Sequence, residues 1–332
     1  MSAALTDDID DSVIRLGGHK GLEVELLPFG ATIRSIRLFG QELTLNYPDP
    51  ADYQTDQFYL GATAGRVANR IAKGRFELNG VAYQLDCNNG PNHLHGGVTG
   101  FNRREWQVLK QQSDSVQLYL RSADGDQGYP GAVQVWQQFR IVDKQLELSF
   151  LALSSKDTVL NLTNHCYFNL NNDKLNDGGS SVENHQLQLT ATHYLPTDEH
   201  AIPTGERRAV AGTAFDFTNA KLVGPALKQQ DQQLALANGF DHCFIWQDAD
   251  AAELKLMAVL SSSQSGRQLE VLSTQPGLQL YTGNFLAAPF AARQGICLEA
   301  QGWPDAINQL GFPGTLLKAG ELYQQQIVYK FS

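Results

Sequence analysis

The residues of this chain that are suited to chemistry include two histidines separated by one residue, His93 and His95 in "NHLHGG". Alternate residues of a strand point to one side, so the two imidazoles could share a metal ion if a third or fourth ligand joined them. Polar histidines facing solvent are the other interpretation of such a pair. The glycines that follow, Gly96 and Gly97, end the strand and let the backbone approach a ligand closely, which favours the rim of a pocket.

A third histidine, His165, lies in "NLTNHCYFNL", residues 161–170, with Asn164, Tyr167 and Asn169 as neighbours. A core strand does not normally carry so many hydrogen-bonding groups, because buried polar groups must all be paired. The pattern leaves two interpretations open. His165 is either a functional imidazole in a polar pocket or a histidine held by a neighbouring carbonyl.

Glu299 follows the apolar residues Ile296, Cys297 and Leu298 in "GICLEAQGWPDAINQ". A carboxylate at the end of an apolar strand is unfavourable unless it is paired or functional. Desolvation at such a position raises the pKa of a carboxyl group toward the range that suits a general base. A surface glutamate at a strand end is the alternative.

Further polar residues stand in apolar surroundings, namely Arg66, Asn69 and Arg70 in "GRVANRI" and Asp241 in "NGFDHCF". Taken singly, they could be salt-bridging arginines and a turn aspartate. Cys243 lies two residues after Asp241. Cys297 precedes Glu299 by the same spacing, so on strands each cysteine would share the face of its acidic neighbour. Such cysteines are typical small core residues. A catalytic Cys–His pair is the other interpretation, although nothing in the sequence orients it.

The elements that must position these residues are strands, because the dominant hydrophobic period of the chain is two. "GRFELNGVAYQLD" alternates on both sides of Asn79-Gly80, a dipeptide that predicts a hairpin turn. The alternation recurs in "SVQLYLRS", "KQLELSFLALSS", "HQLQLTATHYLP", "AELKLMAVLSS", "RQLEVLS" and "QQQIVYKF". Turn-forming segments stand between them at 124–131, 176–181 and 261–266, and "PALKQQDQQLALANG" suggests a helix.

This pattern predicts an all-β chain that forms a large antiparallel β-sandwich with few short helices. We predict a single domain over residues 1–332, because no Pro-, Gly- or Ser-rich linker separates two halves of the sequence. Two domains divided near residues 171–181 are the alternative.

Composition narrows the expected partners. The 332 residues are 42% hydrophobic, which suffices for a sizeable core. The net charge of -10 and the lack of a Lys/Arg run argue against nucleic acid and against an anionic membrane surface. The sequence has no membrane-length apolar run, and its acidic N-terminus lacks signal-peptide features. Four cysteines without a C-x-x-C pair favour free thiols in a cytoplasmic protein. We therefore expect a neutral small molecule as partner, and the oligomeric state stays open.

Ten motifs of the chain resemble, in order and from about residue 25 to the C-terminus, those of the aldose 1-epimerases, the galactose mutarotases. The motifs are "GATAGRVANRIAKGRFELNG", "PNHLHGG", "GFNRREWQV", "DGDQGYPG", "TNHCYFNL", "YLPTDEHAIPTGE", "FDFT", "NGFDHCF", "QPGLQLYTGNFL" and "CLEAQGWPDAINQ".

The resemblance implies the family's fold, a galactose mutarotase-like supersandwich with an open cleft on one sheet face. It implies an isomerase that interconverts the α and β anomers of free aldohexoses, such as galactose and glucose, by acid/base ring opening. The catalytic acid would be His165 and the catalytic base Glu299. The residues implied to bind the sugar are Asn69, Arg70, His95, Tyr167, Asp241 and Gln279. The resemblance implies neither a cofactor nor a metal ion, and His93 is not a functional position of the family.

The sequence departs from the family pattern at two places. Leu280 stands where the family commonly has an aromatic residue, so we expect altered packing beside the sugar. The loop between "GNFL" and "CLE" is short, which predicts a more open cleft.

Three alternative functions are compatible with parts of the pattern. A glycoside hydrolase could use Glu299 and Asp241 as its two carboxylates. A non-catalytic carbohydrate-binding protein could share the fold, although the acid and base favour catalysis. A sugar-phosphate epimerase would need more basic residues than the acidic chain offers.

Overall fold

The computed structural model describes residues 13–171, 180–246 and 253–332 of the chain. Strands dominate these residues, and they are numbered here in chain order. The first are β1 (Ile14–Gly17), β2 (Leu22–Leu27), β3 (Thr32–Leu38), β4 (Gln41–Glu42), β5 (Thr63–Ala64), β6 (Arg70–Ile71), β7 (Arg75–Leu78), β8 (Val81–Gln84), β9 (His93–Leu94), β10 (Gln107–Gln111), β11 (Ser115–Ser122), β12 (Val133–Val142) and β13 (Gln145–Ser154). The others are β14 (Thr158–Val159), β15 (Thr163–Asn164), β16 (Tyr167–Phe168), β17 (His185–Leu189), β18 (His193–Tyr194), β19 (Arg208–Ala209), β20 (Lys221–Leu222), β21 (Asp241–Ile245), β22 (Lys255–Ser262), β23 (Gln268–Ser273), β24 (Gly277–Tyr281), β25 (Ile296–Gln301), β26 (Leu316–Leu317) and β27 (Leu322–Phe331).

The main layers of the fold are two antiparallel sheets. The larger sheet has the strand order β10-β11-β12-β13-β27-β23-β22-β17-β20. The second sheet, called the site sheet below, has the order β16-β25-β24-β21-β18-β19. A smaller sheet, β1-β2-β3-β4, and short strand pairs complete the fold. The predicted all-β antiparallel sandwich is confirmed.

Strand β13 shows why the sequence pattern produces this arrangement. Leu146, Leu148 and Phe150 are fully buried, whereas Glu147 and Ser149 between them are half-buried. Successive side chains of a strand point to opposite faces, so alternation places one apolar face toward the core. The same principle sets which residues of the site sheet face the core and which face outward.

The hairpin predicted at Asn79-Gly80 is confirmed. It joins β7 to β8, with φ angles of 53° at Asn79 and 76° at Gly80. Both residues of a two-residue I′ turn need a positive φ, which asparagine and glycine adopt more readily than other residues.

The hydrophobic core lies between the layers and draws on distant parts of the chain. Its largest cluster extends from Ile14 on β1 to Phe331 on β27 and includes Leu148 of the larger sheet and Leu298 of the site sheet. The single domain over residues 1–332 stays a prediction. The alternative boundary near 171–181, with the turn predicted at 176–181, falls mostly on residues outside the described ones.

The helices of the described residues are short, α1 (Val223–Leu227) and α2 (Gln232–Ala237). They share the segment for which one helix was predicted. Asp231 separates them, because its side chain accepts a 2.7 Å hydrogen bond from the Gln233 amide and caps the start of α2. Short 3-10 helices cover Pro50–Gln54, Ala72–Gly74, Phe101–Arg103, Asp126–Gly128 and Val182–Asn184. Within 13–171, 180–246 and 253–332, every helix is too short or too polar to cross a membrane.

Candidate active site

A cavity of about 250 Å³ opens on the outward face of the site sheet and gathers most of the predicted functional residues. Its walls are formed by Gln57, Phe58, Tyr59, Asn69, Arg70, Leu94, His95, His165, Tyr167, Asp241, Tyr281, Phe285 and Glu299. Of the residues predicted to act in catalysis or binding, Gln279 lies just behind this wall. Its Nε2 donates a 2.6 Å hydrogen bond to Oδ1 of Asp241, so it contacts the cavity through that carboxylate.

Strand register places Glu299, Gln279 and Asp241 on one face of the site sheet. Glu299 on β25 lies opposite Gln279 on β24, and Asp241 on β21 lies opposite Tyr281 of β24. Alternate residues of β24 therefore share the cavity side, and the residue between them faces the core. That residue is Leu280, which is fully buried in the main hydrophobic cluster. The expectation that Leu280 would alter packing beside a bound sugar is wrong, because its side chain points away from the cavity.

The opposite wall is formed around Asn69 and His95, which both adopt left-handed backbone conformations with φ angles of 64° and 49°. The backbone N–H of Asn69 donates a 3.1 Å hydrogen bond to Nδ1 of His95. The hydrogen of the neutral ring then sits on Nε2, which leaves a donor for the cavity. Gly96 follows with φ 86°, and a Cβ there would lie 1.9 Å from the Gly65 carbonyl oxygen. The backbone at Gly96 is therefore closely approached, as predicted, but by the backbone of Gly65 and not by a ligand.

His93 does not share this wall. Strand β9 ends at Leu94, so His95 is no longer part of the strand and its side chain does not share the face of His93. The Nδ1–H of His93 donates to the Asp86 carbonyl at 2.7 Å, and its Nε2 accepts from the Tyr129 hydroxyl at 2.8 Å. The imidazole is fully buried with both nitrogens satisfied. The interpretation of His93 as a residue without a functional role fits these contacts.

His165 and Glu299 face each other inside the cavity. Nε2 of His165 lies 3.7 Å from Oε1 of Glu299, and both residues are buried, with 5% and 2% of their surface exposed. Among the described residues, Oε2 of Glu299 has no hydrogen-bond partner. A buried carboxyl oxygen without a protein partner is unfavourable, and it is available to a ligand hydroxyl.

Burial sets the protonation of this pair. It raises the pKa of the Glu299 carboxyl well above its ordinary value, and the nearby charge of Asp241 raises it further, while Arg70 opposes both effects. Burial lowers the pKa of His165 to about 4, although a hydrogen bond to its own backbone and the charge of Asp241 favour the imidazolium. The free site thus favours uncharged side chains, with one proton held by the pair on Glu299. An ion pair at 3.7 Å forms when that proton moves to His165.

A polar chain leads from this pair toward the rim of the cavity. Nη1 of Arg70 lies 3.8 Å from Oδ2 of Asp241, and its Nε donates to Oδ1 of Asn89 at 3.0 Å. The backbone N–H of Arg70 donates a hydrogen bond to Oδ1 of Asn69 at 2.8 Å. The guanidinium is thereby held in a fixed orientation with part of its fork facing the cavity. Such an array of donors and acceptors suits a ligand rich in hydroxyl groups.

Apart from Tyr167, the aromatic residues of the walls were not predicted from the sequence. Tyr59 packs its ring 4.5 Å from that of His95 and 5.8 Å from that of His165, and Phe285 at the rim is 63% exposed. Tyr281 could have been found, because it lies two residues from Gln279 on an alternating strand. The sequence offers no comparable indication for Tyr59, which reaches the site from a loop before β5.

Two other residues singled out in the sequence have different surroundings. Arg66 is buried away from the cavity and donates to the carbonyls of Pro130 and Gly131 at 2.9 and 2.8 Å, which ties two loops together. Cys297 is fully buried beneath the cavity, with Sγ 3.6 Å from Nδ1 of His165. The sequence left open both a core position and a pairing with a histidine, and Cys297 is buried and also lies beside an imidazole.

The donor atoms of His95, His165 and Glu299 lie within 4.8 Å of one another. Two imidazoles and one carboxylate at this spacing are ligand types that divalent transition metals accept. The absence of a metal ion from the function, implied by the resemblance, stays a prediction.

Comparisons with known proteins show the family of the chain. The sequence model of the family described as Aldose 1-epimerase matches residues 12–330. The galactose mutarotase of Bos taurus is 40% identical over 324 residues, covering 94% of this chain and 91% of that protein. The aldose 1-epimerase of Escherichia coli (strain K12) is 37% identical over an aligned length of 334, covering 96% of this chain and 94% of that protein.

Similarity in three dimensions is equally extensive. The solved structure of an aldose epimerase homologue from C. elegans superposes with a TM-score of 0.88 at 31% sequence identity. The match covers 96% of this chain and 98% of that chain. The similarities in sequence and in structure therefore extend over nearly the whole length of the chain.

Proposed function

The chain belongs to the aldose 1-epimerase family and is an isomerase, and on this premise we propose that it interconverts the α and β anomers of free aldohexoses such as galactose and glucose. The observation that carries the proposal is the pairing of His165 with Glu299 at 3.7 Å in a cavity rimmed by hydrogen-bonding side chains. The name of the bovine relative, galactose mutarotase, supports galactose as one substrate.

The proposed reaction moves two protons. Glu299, as carboxylate, takes the proton of the anomeric hydroxyl, while His165, as imidazolium, gives a proton from Nε2 to the ring oxygen. The C1–O5 bond breaks and the anomeric C–O bond becomes a carbonyl. Rotation about the C1–C2 bond turns the other carbonyl face toward O5, and closure there produces the opposite anomer. No electrons and no groups are exchanged with another molecule, so this chemistry requires no cofactor.

The pair returns to its starting state within one turnover. Ring opening leaves Glu299 protonated and His165 neutral, and ring closure moves both protons back. The charged and uncharged forms of the pair hold the same total of one proton, so no exchange with solvent is needed. Burial favours the uncharged form in the free site, and sugar hydroxyls that hydrogen-bond to Glu299 favour the charged one. Each positioned acid or base typically contributes ~10²–10⁴-fold to the rate.

The remaining side chains would hold the sugar. Arg70, Asn69 and Asp241 present donors and acceptors to ring hydroxyls, and His95 presents its Nε2–H. Tyr167 supports the floor, since its ring centroid lies 5.1 Å from that of His165. Gln279 would act through Asp241. Contacts limited to the non-reacting hydroxyls leave the anomeric end free to rotate.

Polarimetry tests the proposal directly. Freshly dissolved α-galactose or α-glucose should reach its equilibrium rotation faster with the protein than in buffer alone, and a panel of aldoses would define the preference. A protein that binds these sugars without accelerating mutarotation would be a carbohydrate-binding protein. Release of an aryl group from aryl glycosides would instead identify a glycoside hydrolase. Either result would overturn the proposed function.

A further inference from the structure

One contact of the acid is unused by the mechanism described above. Nδ1 of His165 lies 3.6 Å from Sγ of Cys297, within hydrogen-bonding range for sulfur. Cys297 is fully buried and pairs across the sheet with Tyr167 on one side and Tyr281 on the other. The residues that line the described cavity do not include it, so its sulfur contacts the imidazole from below rather than from the sugar side.

We propose that Cys297 is a positioning residue whose sulfur accepts a hydrogen bond from Nδ1–H of His165 and so keeps Nε2 as the nitrogen that exchanges protons with the sugar. The inference rests on the proposed function and adds to it a residue that never touches substrate.

The need for such a partner follows from the proton count. After His165 has given its Nε2 proton to the ring oxygen, the neutral ring must keep its hydrogen on Nδ1. The opposite tautomer would place the hydrogen on Nε2, where it blocks the return proton. A buried N–H requires an acceptor. The ring hydrogen-bonds to the backbone of residue 165 itself, and Sγ of Cys297 lies 3.6 Å from Nδ1. Sulfur is the acceptor supplied by the neighbouring strand β25.

A neutral sulfur also suits the chemistry better than a carboxylate would. A carboxylate beside Nδ1 stabilises the imidazolium, as in Ser-His-Asp triads. Burial raises the pKa of the Cys297 thiol well above its ordinary value, and the charge of Glu299 raises it further, so the sulfur stays protonated. It can therefore orient His165 without adding a charge that would hold the proton on the ring. The same protonation argues against Cys297 as a nucleophile, the second interpretation that the sequence had left open.

The titratable groups that face His165 come from several elements. They are Glu299 and Cys297 from β25, Tyr167 from β16, Asp241 from β21, His95 after β9, and Tyr59 from the loop before β5. Of these, Cys297 is the one that contacts Nδ1, and Glu299 is the one within ion-pair distance of Nε2.

The test compares Cys297→Ala with Cys243→Ala. Cys243 is the matched control, because it is also buried and also lies on the cavity side of the site sheet, across from Gln279. We expect Cys297→Ala to lower kcat by about 3- to 10-fold, the range that corresponds to one modest hydrogen bond, with KM nearly unchanged. Cys297→Ser retains an acceptor and should recover part of the loss. Cys243→Ala should leave kcat unchanged.

A tautomer measurement separates positioning from a packing defect. In protein labelled with ¹⁵N-histidine, the His165 signals, assigned by their loss in His165→Asn, should show hydrogen on Nδ1 at neutral pH. Cys297→Ala should raise the share of the Nε2–H tautomer, whereas Cys243→Ala should not. Thermal unfolding of all variants controls for folding, and Cys297→Ser keeps the test decisive if the alanine variant is unstable.

The results distinguish failure of the inference from failure of the function. Equal kcat values and equal His165 tautomers in Cys297→Ala and the wild type would overturn the positioning role. A wild-type protein that fails to accelerate mutarotation would instead overturn the proposed function, whatever the tautomer measurements showed.

Discussion

Nε2 of His165 lies 3.7 Å from Oε1 of Glu299, although the two residues come from distant parts of the chain. The imidazole follows β15, which pairs with β5, and the carboxylate belongs to β25, which lies between β16 and β24 in the site sheet. Both side chains are buried in the same cavity. Five predictions follow from this relationship.

Removing the base should abolish catalysis while leaving the sugar bound. Glu299→Gln keeps the shape of the side chain but cannot take a proton, so we expect kcat to fall by roughly 10²–10⁴-fold. Sugar affinity, measured by calorimetry, should change little. Glu270→Gln, on β23 of the larger sheet, serves as a control and should retain full activity. Unchanged turnover in Glu299→Gln would refute its assignment as base.

Removing the acid should have a similar effect. His165→Asn retains a polar side chain without a titratable ring, and kcat should again fall by roughly 10²–10⁴-fold. His193→Asn, at a half-buried position of β18 outside the cavity wall, is the control. Polarimetric rates equal to those of the wild type would rule out His165 as the acid.

Removing the guanidinium should weaken binding more than turnover. Arg70→Ala deletes a charged donor that faces the cavity, and hydrogen bonds to charged groups contribute about 1.5–3 kcal/mol. We therefore expect KM to rise roughly 10- to 100-fold with a smaller change in kcat. Arg140→Ala on an exposed position of β12 should leave both constants unchanged. A loss confined to kcat would indicate that Arg70 acts in the transition state instead.

The pH dependence of kcat/KM should be bell-shaped, because the active pair holds one proton. As pH falls through the lowered pKa of His165, about 4, the pair gains a second proton and its base function is lost. As pH rises through the raised pKa of Glu299, the pair loses its only proton. These limits belong to the pair and not to either residue alone. Rates corrected for spontaneous mutarotation should thus show a plateau that extends below pH 6, and a decline beginning near pH 6.5 on the acid side would contradict the assignment.

Glu299→Gln should also stabilise the protein at neutral pH. The folded state binds the Glu299 proton more tightly than the unfolded state, so this group destabilises the wild type as pH rises from its ordinary pKa through the raised one. A glutamine at this position cannot ionise, so the variant does not lose stability in this way as pH rises. We therefore expect the free energy of unfolding of the variant to exceed that of the wild type by an amount that grows with pH. The difference between the variant and the wild type in denaturant titrations should be larger at pH 8 than at pH 5. An equal difference at both pH values would show that ionisation of Glu299 is not involved.

The sequence by itself determined the strands and several turns. Alternation predicted β13, and Asn79-Gly80 predicted the β7–β8 hairpin, because backbone conformation there depends on neighbouring residues alone. The motifs "TNHCYFNL" and "CLEAQGWPDAINQ" identified His165 and Glu299 through their resemblance to a family. The residues themselves left both side chains with ordinary alternatives.

Only the tertiary structure decided which of these side chains meet. Leu280 and Gln279 are neighbours in sequence, yet strand pairing buries one in the core and aims the other at Asp241. Tyr59 reaches the imidazoles from a loop, and Cys297 contacts Nδ1 of His165 across the site sheet. Such contacts depend on register and on the approach of distant segments. A local pattern cannot encode them, because it specifies the face of a strand but not the partner that the face will meet.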